Sequence, residues 1–380
     1  MLEAIERAVG YAFAMFWEVL WPLGLGFTLS AVVQTVVSRQ AVAGALGRFD
    51  ARGLAIATGL GAASSSCSYA AVAVARALFR KGAHFANAII FEFASTNLVF
   101  ELGLVLLVLL GWQFLVAELT GGLVMIAILA LLFRLTLTPR LVERARIQAE
   151  RGLRGRMEGH GEMDMAVTDG PFLRRLFSGR AFTAISHSFV MDVHSLWTDL
   201  VVGFLVAGAL AAWVPDSFWR VFFLADQPGL NEVWGPLIGP VLSMVSFVCS
   251  VGNVPLAAVL WNGGISFGGV VSFIFADLII IPILNIHRRY YTGRVSLYLL
   301  ALSYVAMVVA GLLVELVFQA LGIVPPHFQV TVLQSRPGLN ATSVLNVAFL
   351  LLAAVLTWRF LRTGGLDMLR AMEATPSHHH

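Results

Sequence analysis

The sequence predicts an all-α polytopic membrane protein built from two inverted structural repeats, each holding a broken or re-entrant helical hairpin, plus an extra C-terminal span. Three observations predict it. Hydrophobic residues make up 58% of the 380 and charged residues 12%, with a mean hydropathy of +0.83, whereas soluble domains carry roughly 25% charged residues. The apolar residues come in blocks of about 20 or more, the length that crosses a bilayer core. Two of these blocks are interrupted by small polar residues around a cysteine, and the two interruptions superpose when one half of the chain is slid onto the other.

In chain order, residues 1–10 are a short polar lead. The first span is expected from Tyr11 to Val37; it lacks a small-residue cleavage site, so it reads as a span and not as a signal peptide. A basic joint with Arg39, Arg48 and Arg52 follows. The stretch 53–79 is interrupted at Ser64-Ser65-Ser66-Cys67-Ser68 and ends at Arg80-Lys81. A block over 85–110 has a polar notch at Ser95-Thr96-Asn97, and a fourth runs from Trp112 to Leu137. Residues 138–180 are hydrophilic and arginine-rich, a linker part helical and part flexible. A fifth span is expected over 196–214, then a joint with Pro215, Asp216, Asp226 and Pro228. The stretch 234–261 is interrupted at Cys249-Ser250-Val251-Gly252-Asn253, and the block 265–286 is stopped by His287-Arg288-Arg289. Spans near 294–319 and 342–362 complete the chain, and His378, His379 and His380 resemble the stub of a purification tag. The expected organisation is therefore a first repeat over 1–137, a cytoplasmic linker over 138–195, a second repeat over 196–320, and an external loop, last span and tail over 321–380.

Placing Cys67 on Cys249 shifts the sequence by 182 residues. With no gap, Ser68 falls on Ser250, Gly82 on Gly264, Phe85 on Phe267, Phe91 on Phe273 and Ala94 on Ala276. Trp17 and Trp197 correspond at a shift of 180. Basic loops then orient the halves, because Lys and Arg collect on the cytoplasmic side. Basic residues flank the first broken stretch on both sides, so its ends share a side and it reads as a re-entrant hairpin with its tip near Ser64–Ser68. In the second half His287-Arg288-Arg289 is cytoplasmic, which places the Asn262-Gly263-Gly264 joint outside. The second hairpin then enters from the opposite face, an inverted plan common among secondary transporters. The alternative, in which both stretches cross fully, puts Arg39, Arg48 and Arg52 outside.

Irregular backbone at membrane depth is tolerated only where protein or a watery cavity covers it. The expected substrate site is therefore the two tips: Ser65, Ser66, Cys67, Ser68 and Tyr69 in the first, Cys249 and Asn253 in the second, with Asn97 beside them and Met244 as a further thioether. The chain has two cysteines, and soft thiolates suit copper(I), zinc or trivalent arsenic. Two thiols match an arsenical with one carbon substituent; inorganic arsenite calls for three. Ionisable residues inside spans are functional candidates: Asp277, Glu92 and Glu101 are the expected proton-coupling groups, Asp277 standing where the first half has Ser95. The alternative places Glu101 at the external interface, and Glu118 reads as a residue of that interface. His84 and His187 are given no metal role.

The segment Ser64–Ser68, the hairpin end Arg80-Lys81-Gly82, the span through Phe93-Ala94-Ser95-Thr96-Asn97 and the second copy over 246–286 resemble the predicted-permease family that includes the organoarsenical efflux permeases. The resemblance covers about 11 to 320. It implies a bacterial inner-membrane exporter of trivalent organoarsenicals such as methylarsenite or reduced aromatic arsenicals. Many relatives carry two cysteines close together and a proline where this chain has Ser66-Cys67-Ser68-Tyr69. The alternatives left open are an exporter of another soft metal or small molecule, such as copper or zinc, and a channel. No Walker motif appears, so the coupling expected is proton antiport. No span carries a nucleophile and base with recognisable spacing, so no enzyme is expected, and no cofactor or resident metal. The expected surroundings are membrane lipid and the organoarsenical cargo, with no nucleic-acid partner despite the net charge of +3; a homo-oligomer is compatible with the pattern.

Overall fold

A computed structural model describes residues 2–36, 45–64, 68–150, 178–246, 250–326 and 341–368, and every regular element among them is a helix. The first half holds α1 (Leu2–Val36), α2 (Ala51–Ser64), α3 (Ser68–Arg80), α4 (Phe85–Asn97), α5 (Phe100–Leu109) and α6 (Trp112–Thr136), followed by α7 (Pro139–Glu150). The second half holds α8 (Gly179–Trp213), α9 (Asp216–Phe222), α10 (Pro228–Ser246), α11 (Ser250–Asn262) and α12 (Phe267–Ile274). The last continues as a 3₁₀ turn, Phe275–Leu278, before α13 (Ile281–Tyr291), α14 (Gly293–Ala320) and α15 (Ala341–Arg362). Among the described residues four segments are long and apolar enough to span a membrane, Phe85–Leu109, Trp112–Thr136, Gly293–Ala320 and Thr342–Arg362, and two bent pairs raise this to as many as six. The chain is a multi-pass membrane protein.

The repeat recurs in backbone detail. In α3 the Lys81, Gly82 and Ala83 N–H groups donate to Ala77, Phe79 and Leu78; in α11 Gly263, Gly264 and Ile265 donate to Val259, Trp261 and Leu260. Every donor and acceptor is shifted by 182. This is the left-handed helix stop that glycine favours, and Gly82 and Gly264 have φ of +106° and +93°. The next helix is then capped in each half, by His84 Nδ1 accepting from Ala86 and by Ser266 Oγ accepting from Gly269. A second matched feature was not foreseen. The block expected over 85–110 is broken at Leu98–Val99, and its counterpart at Ile279–Ile280, with extended ψ of 146° and 149° at Val99 and Ile280.

Both interrupted stretches fold back. Gly53 of α2 lies against Asn87, and Gly61 lies against Phe91 and Ala94, so α2 runs parallel to α4. The chain then returns down α3. The His84 N–H donates to Leu46 O at 2.9 Å, and Asn87 Nδ2 donates to Leu46 O and Arg48 O, stitching entry to exit at one end. Arms of 14 and 13 residues reach about 20 Å each, short of a bilayer core of about 30 Å. In the second half Gly235 lies against Ser266 and Gly269, Gly239 lies against Ser272 and Phe273, and Asn231 Nδ2 ties the entry to Gly264 O at 2.8 Å. Close approach requires these glycines: a Cβ on Gly61 would meet Phe91 O at 2.6 Å and one on Gly239 would meet Gly269 O at the same distance. Small residues are what lets helices pack in lipid.

The two hairpins open toward opposite ends of α6. The base of the first packs Phe85 on Phe133, near the end of α6, and on Tyr291. The base of the second packs Trp261 and Phe267 on Phe114, near its start. Phe114 and Phe133 are about 28 Å apart along a helix. At the first base α7 lies across the mouth: Arg76 donates to Ala149 O, Arg146 covers the Phe79 ring, and Gln148 Nε2 donates to Arg289 O. The rest of the arginine-rich joint, 151–177, lies outside the described residues.

The span expected over 196–214 is the end of a longer helix, α8, which starts at Gly179 with Ser178 as its cap. It packs antiparallel on α1, where Gly208 meets Ala8 and Ala12, and Trp213 Nε1 donates to Ala4 O. Helix α1 bends by 45° between Trp17 and Val19, where the Pro22 ring clashes with the carbonyl four residues back. Asn346 of α15 fills the opened turn. Its Nδ2 donates to Trp17 O at 2.7 Å and its Oδ1 accepts from Trp21 N–H at 3.0 Å, the two groups that an unbroken helix would join to each other. Asn346→Leu should leave both unsatisfied at membrane depth and cost about 2 kcal/mol or more. The check is a lowered melting temperature in detergent with the helical circular-dichroism signal retained before melting.

Candidate functional site

Both helix breaks sit at the turning points of the hairpins, between Ser64 and Ser68 and between Ser246 and Ser250. Cys67 and Cys249, with Ser65 and Ser66, lie outside the described residues, as does the side chain of Tyr69 in α3. The groups around the breaks are described, and they join the two halves.

Asp277 is the centre. It is fully buried in the 3₁₀ turn after α12. Ser68, the first residue of α3, donates from Oγ to Asp277 Oδ2 at 2.6 Å, and Asn97 Nδ2, at the end of α4, lies 3.3 Å from Oδ1. Asn97 also donates to Thr96 Oγ1 at 3.1 Å. The second-half carboxylate is thus held by the first-half tip and by the notch expected at Ser95-Thr96-Asn97. It also sits at the N-terminus of α3, where backbone N–H groups and the helix dipole favour a negative charge. On the other tip Asn253 is buried, donates from Nδ2 to Ser243 Oγ at 3.0 Å and accepts from Ser246 Oγ at 3.2 Å. That amide pins α11 to α10. Met244 is half-buried against the core.

The remaining expected coupling groups part company. Glu92 of α4 is buried, and its Oε1 is 2.9 Å from His287 Nε2 of α13. Glu101 of α5 faces elsewhere, its Cβ against Gly26 of α1 and its charge felt by Asp192 of α8; it is not brought to Asp277. Two residues read otherwise from sequence belong to this buried system. Glu118, read from sequence as a residue of the external interface, is 1% exposed in α6, its two carboxylate oxygens have no hydrogen-bond partner among the described residues, and it interacts electrostatically with Asp277. His287 was read as the start of a cytoplasmic basic stop, yet it is 2% exposed and paired with Glu92. A glutamate inside a span three residues before the Gly121-Gly122 pair was the signal available for the first; the second has none, since two arginines follow it.

A separate cleft of about 470 Å³ lies between α1, α8 and α15, lined by Phe13, Phe16, Phe27, Trp197, Phe204 and Phe349 among other almost wholly apolar groups. None of the expected site residues lines it, and among the described residues Thr357 is its one hydroxyl-bearing lining residue.

A protein carrying broken helices, hairpin tips and a buried carboxylate shared between halves is built to move something through itself. Comparison with known proteins agrees. The family model described as "Predicted permease", of the ArsP type, matches residues 5–316. The Mycobacterium tuberculosis protein named "Putative permease Rv2963" is 57% identical over 346 residues, which cover 91% of this chain and 85% of that protein. No solved structure matches the chain. The chain belongs to the predicted permease family, the membrane transporters of ArsP type.

Proposed function

We propose that this permease is a secondary exporter of trivalent organoarsenicals across the inner membrane, driven by proton antiport. The observation that carries the reading is Asp277, a carboxyl of the second half bonded to Ser68 and Asn97 of the first, next in sequence to Cys67. A group that can take or release a proton therefore touches the tip that carries a thiol, so proton binding and cargo binding can be coupled there. For methylarsenite the binding step is CH₃As(OH)₂ + 2 RSH → CH₃As(SR)₂ + 2 H₂O. Two As–O bonds break, two As–S bonds form, no electrons move, and reversal by two waters releases the cargo. Cys67 and Cys249 supply the two thiols, one from each tip, and Ser66, Ser68 and Asn253 the surrounding polar groups.

Alternating access follows from inverted repeats. Two facts support that plan: the hairpins open toward opposite ends of α6, and Arg80, Lys81, Arg146, Arg288 and Arg289 gather at the base of the first, which the positive-inside rule makes cytoplasmic. Single cysteines placed at the exposed positions Lys81 and Gln227 in a cysteine-free background should then react with impermeant maleimide from opposite sides of the membrane. Labelling from the same side would reject the inverted plan.

The transport reading is tested in everted membrane vesicles. They should accumulate methylarsenite and phenylarsenite in preference to inorganic arsenite, and a protonophore should stop accumulation. Equal handling of inorganic arsenite, or accumulation indifferent to the protonophore, would contradict it.

A further inference from the structure

Four buried titratable side chains line up across the molecule at successive depths. Glu118 is one turn along α6 from Phe114, which abuts the base of the second hairpin. Asp277 lies ten residues beyond Phe267 of that base. Glu92 lies seven residues beyond Phe85 of the opposite base, and His287 one turn before Tyr291, which packs on Phe85. Glu118 and Asp277 interact electrostatically, as do Asp277 and Glu92, and Glu92 pairs directly with His287. Along this line Glu118 Oε1 and Oε2, Glu92 Oε2, His287 Nδ1 and the Tyr291 hydroxyl are buried with no hydrogen-bond partner among the described residues. Polar atoms of that kind at membrane depth are the ones water bridges.

The other buried carboxylates among the described residues lie off this line. Glu315 of α14 accepts from Gly268 N–H and Gln319 Nε2, and Glu101 faces α1. Arg76, at the cytoplasmic end, is committed to Ala149 O and to the Tyr290 ring, and its charge reaches Tyr291 beside Glu92.

We propose that Glu118, Asp277, Glu92 and His287 form one proton path through the core, with Glu118 the external entry and the Glu92–His287 pair the exit to the cytoplasm. The path rests on the antiport reading and deepens it. A proton passes from Glu118 to the Asp277 carboxylate, then to Glu92, whose protonated form donates to His287, and His287 releases it at the basic end. No group is consumed and the charge moved is one per proton. Among the described residues Asp277 is the member that also touches a tip, so it is where proton and cargo meet; Glu118 and His287 serve the proton alone.

The test uses the full chain in proteoliposomes containing a pH-sensitive dye, with Glu118→Gln, His287→Gln and Glu118→Asp compared with the parent. Two rates are read: proton movement driven by a methylarsenite gradient, and methylarsenite exchange at equal concentration and pH on both sides, which needs no net proton movement. The path predicts that Glu118→Gln and His287→Gln each lose about tenfold or more of the proton movement while exchange persists, and that Glu118→Asp restores coupling. Retained proton movement in both glutamine variants would overturn the path with antiport intact. Loss of exchange together with coupling would overturn it too, by assigning these residues to cargo or packing. A parent that exchanges methylarsenite but moves no protons would remove the antiport reading itself.

Discussion

Asp277→Asn is expected to stop net export while leaving the protein folded. An amide is nearly the size of the carboxylate, and it can still accept from Asn97 and exchange a hydrogen bond with Ser68, so the contact between the halves persists. What it cannot do is take up and release a proton. Proton transfer by a placed side chain is worth about 100-fold or more, and a loss of about that size is expected in the initial rate of methylarsenite accumulation by everted vesicles. Detergent-solubilised Asp277→Asn should elute as the parent does on gel filtration. Accumulation within a few-fold of the parent would remove Asp277 from the coupling step. Asp277→Ala serves as contrast: it also deletes the acceptor for Ser68 and Asn97, so it should lower thermal stability as well as transport.

The second large effect is expected at the thiols. A serine hydroxyl is a poor ligand for trivalent arsenic because it is harder and far less acidic than a thiol. Cys67→Ser and Cys249→Ser should each reduce methylarsenite transport by at least about tenfold, which corresponds to about 1.4 kcal/mol of lost binding. The double variant should be no worse than the worse single one, because an arsenical held by one bond is already released. Such non-additivity marks residues that act as a unit. Additive, mild losses would mean that the cysteines pack beside the site without binding in it.

How far these residues were legible in the sequence depended on local chemistry. The repeat was legible because glycine is nearly obligatory where φ is positive, and Gly82 and Gly264 mark the same helix stop in each half. The hairpins were legible because Arg80 and Lys81 end an arm too short to cross. Asp277 was legible because a lone carboxylate in an apolar block has few bland uses in lipid. The break at Leu98–Val99 was not: two apolar residues carry no turn signal, and only its partner has one, in Pro282 two residues after Ile280. The start of α8 at Gly179 was hidden because its first turns are polar and continue the arginine-rich joint without a change of composition. The burial of Glu118 and of His287 was not foreseen, for a shared reason. Each lies near a feature that ordinarily marks a membrane surface, Trp112 in one case and Arg288-Arg289 in the other, and only the packing of α6 and α13 against α12, α4 and α3 turns them inward. The kink in α1 was foreseeable from Pro22, but its closure by Asn346 from the last span was not, since nothing local links residues 325 positions apart.

The account's central claim is that one cargo is held between two tips that belong to opposite halves. Alkylation of the full-length protein in membranes, read by mass spectrometry at Cys67 and at Cys249 with and without methylarsenite, tests it most directly. The account predicts that methylarsenite protects both cysteines together and with the same concentration dependence, and that replacing either one with serine abolishes protection of the other. Protection of one cysteine that is indifferent to the loss of the other, or no protection at either, would contradict it.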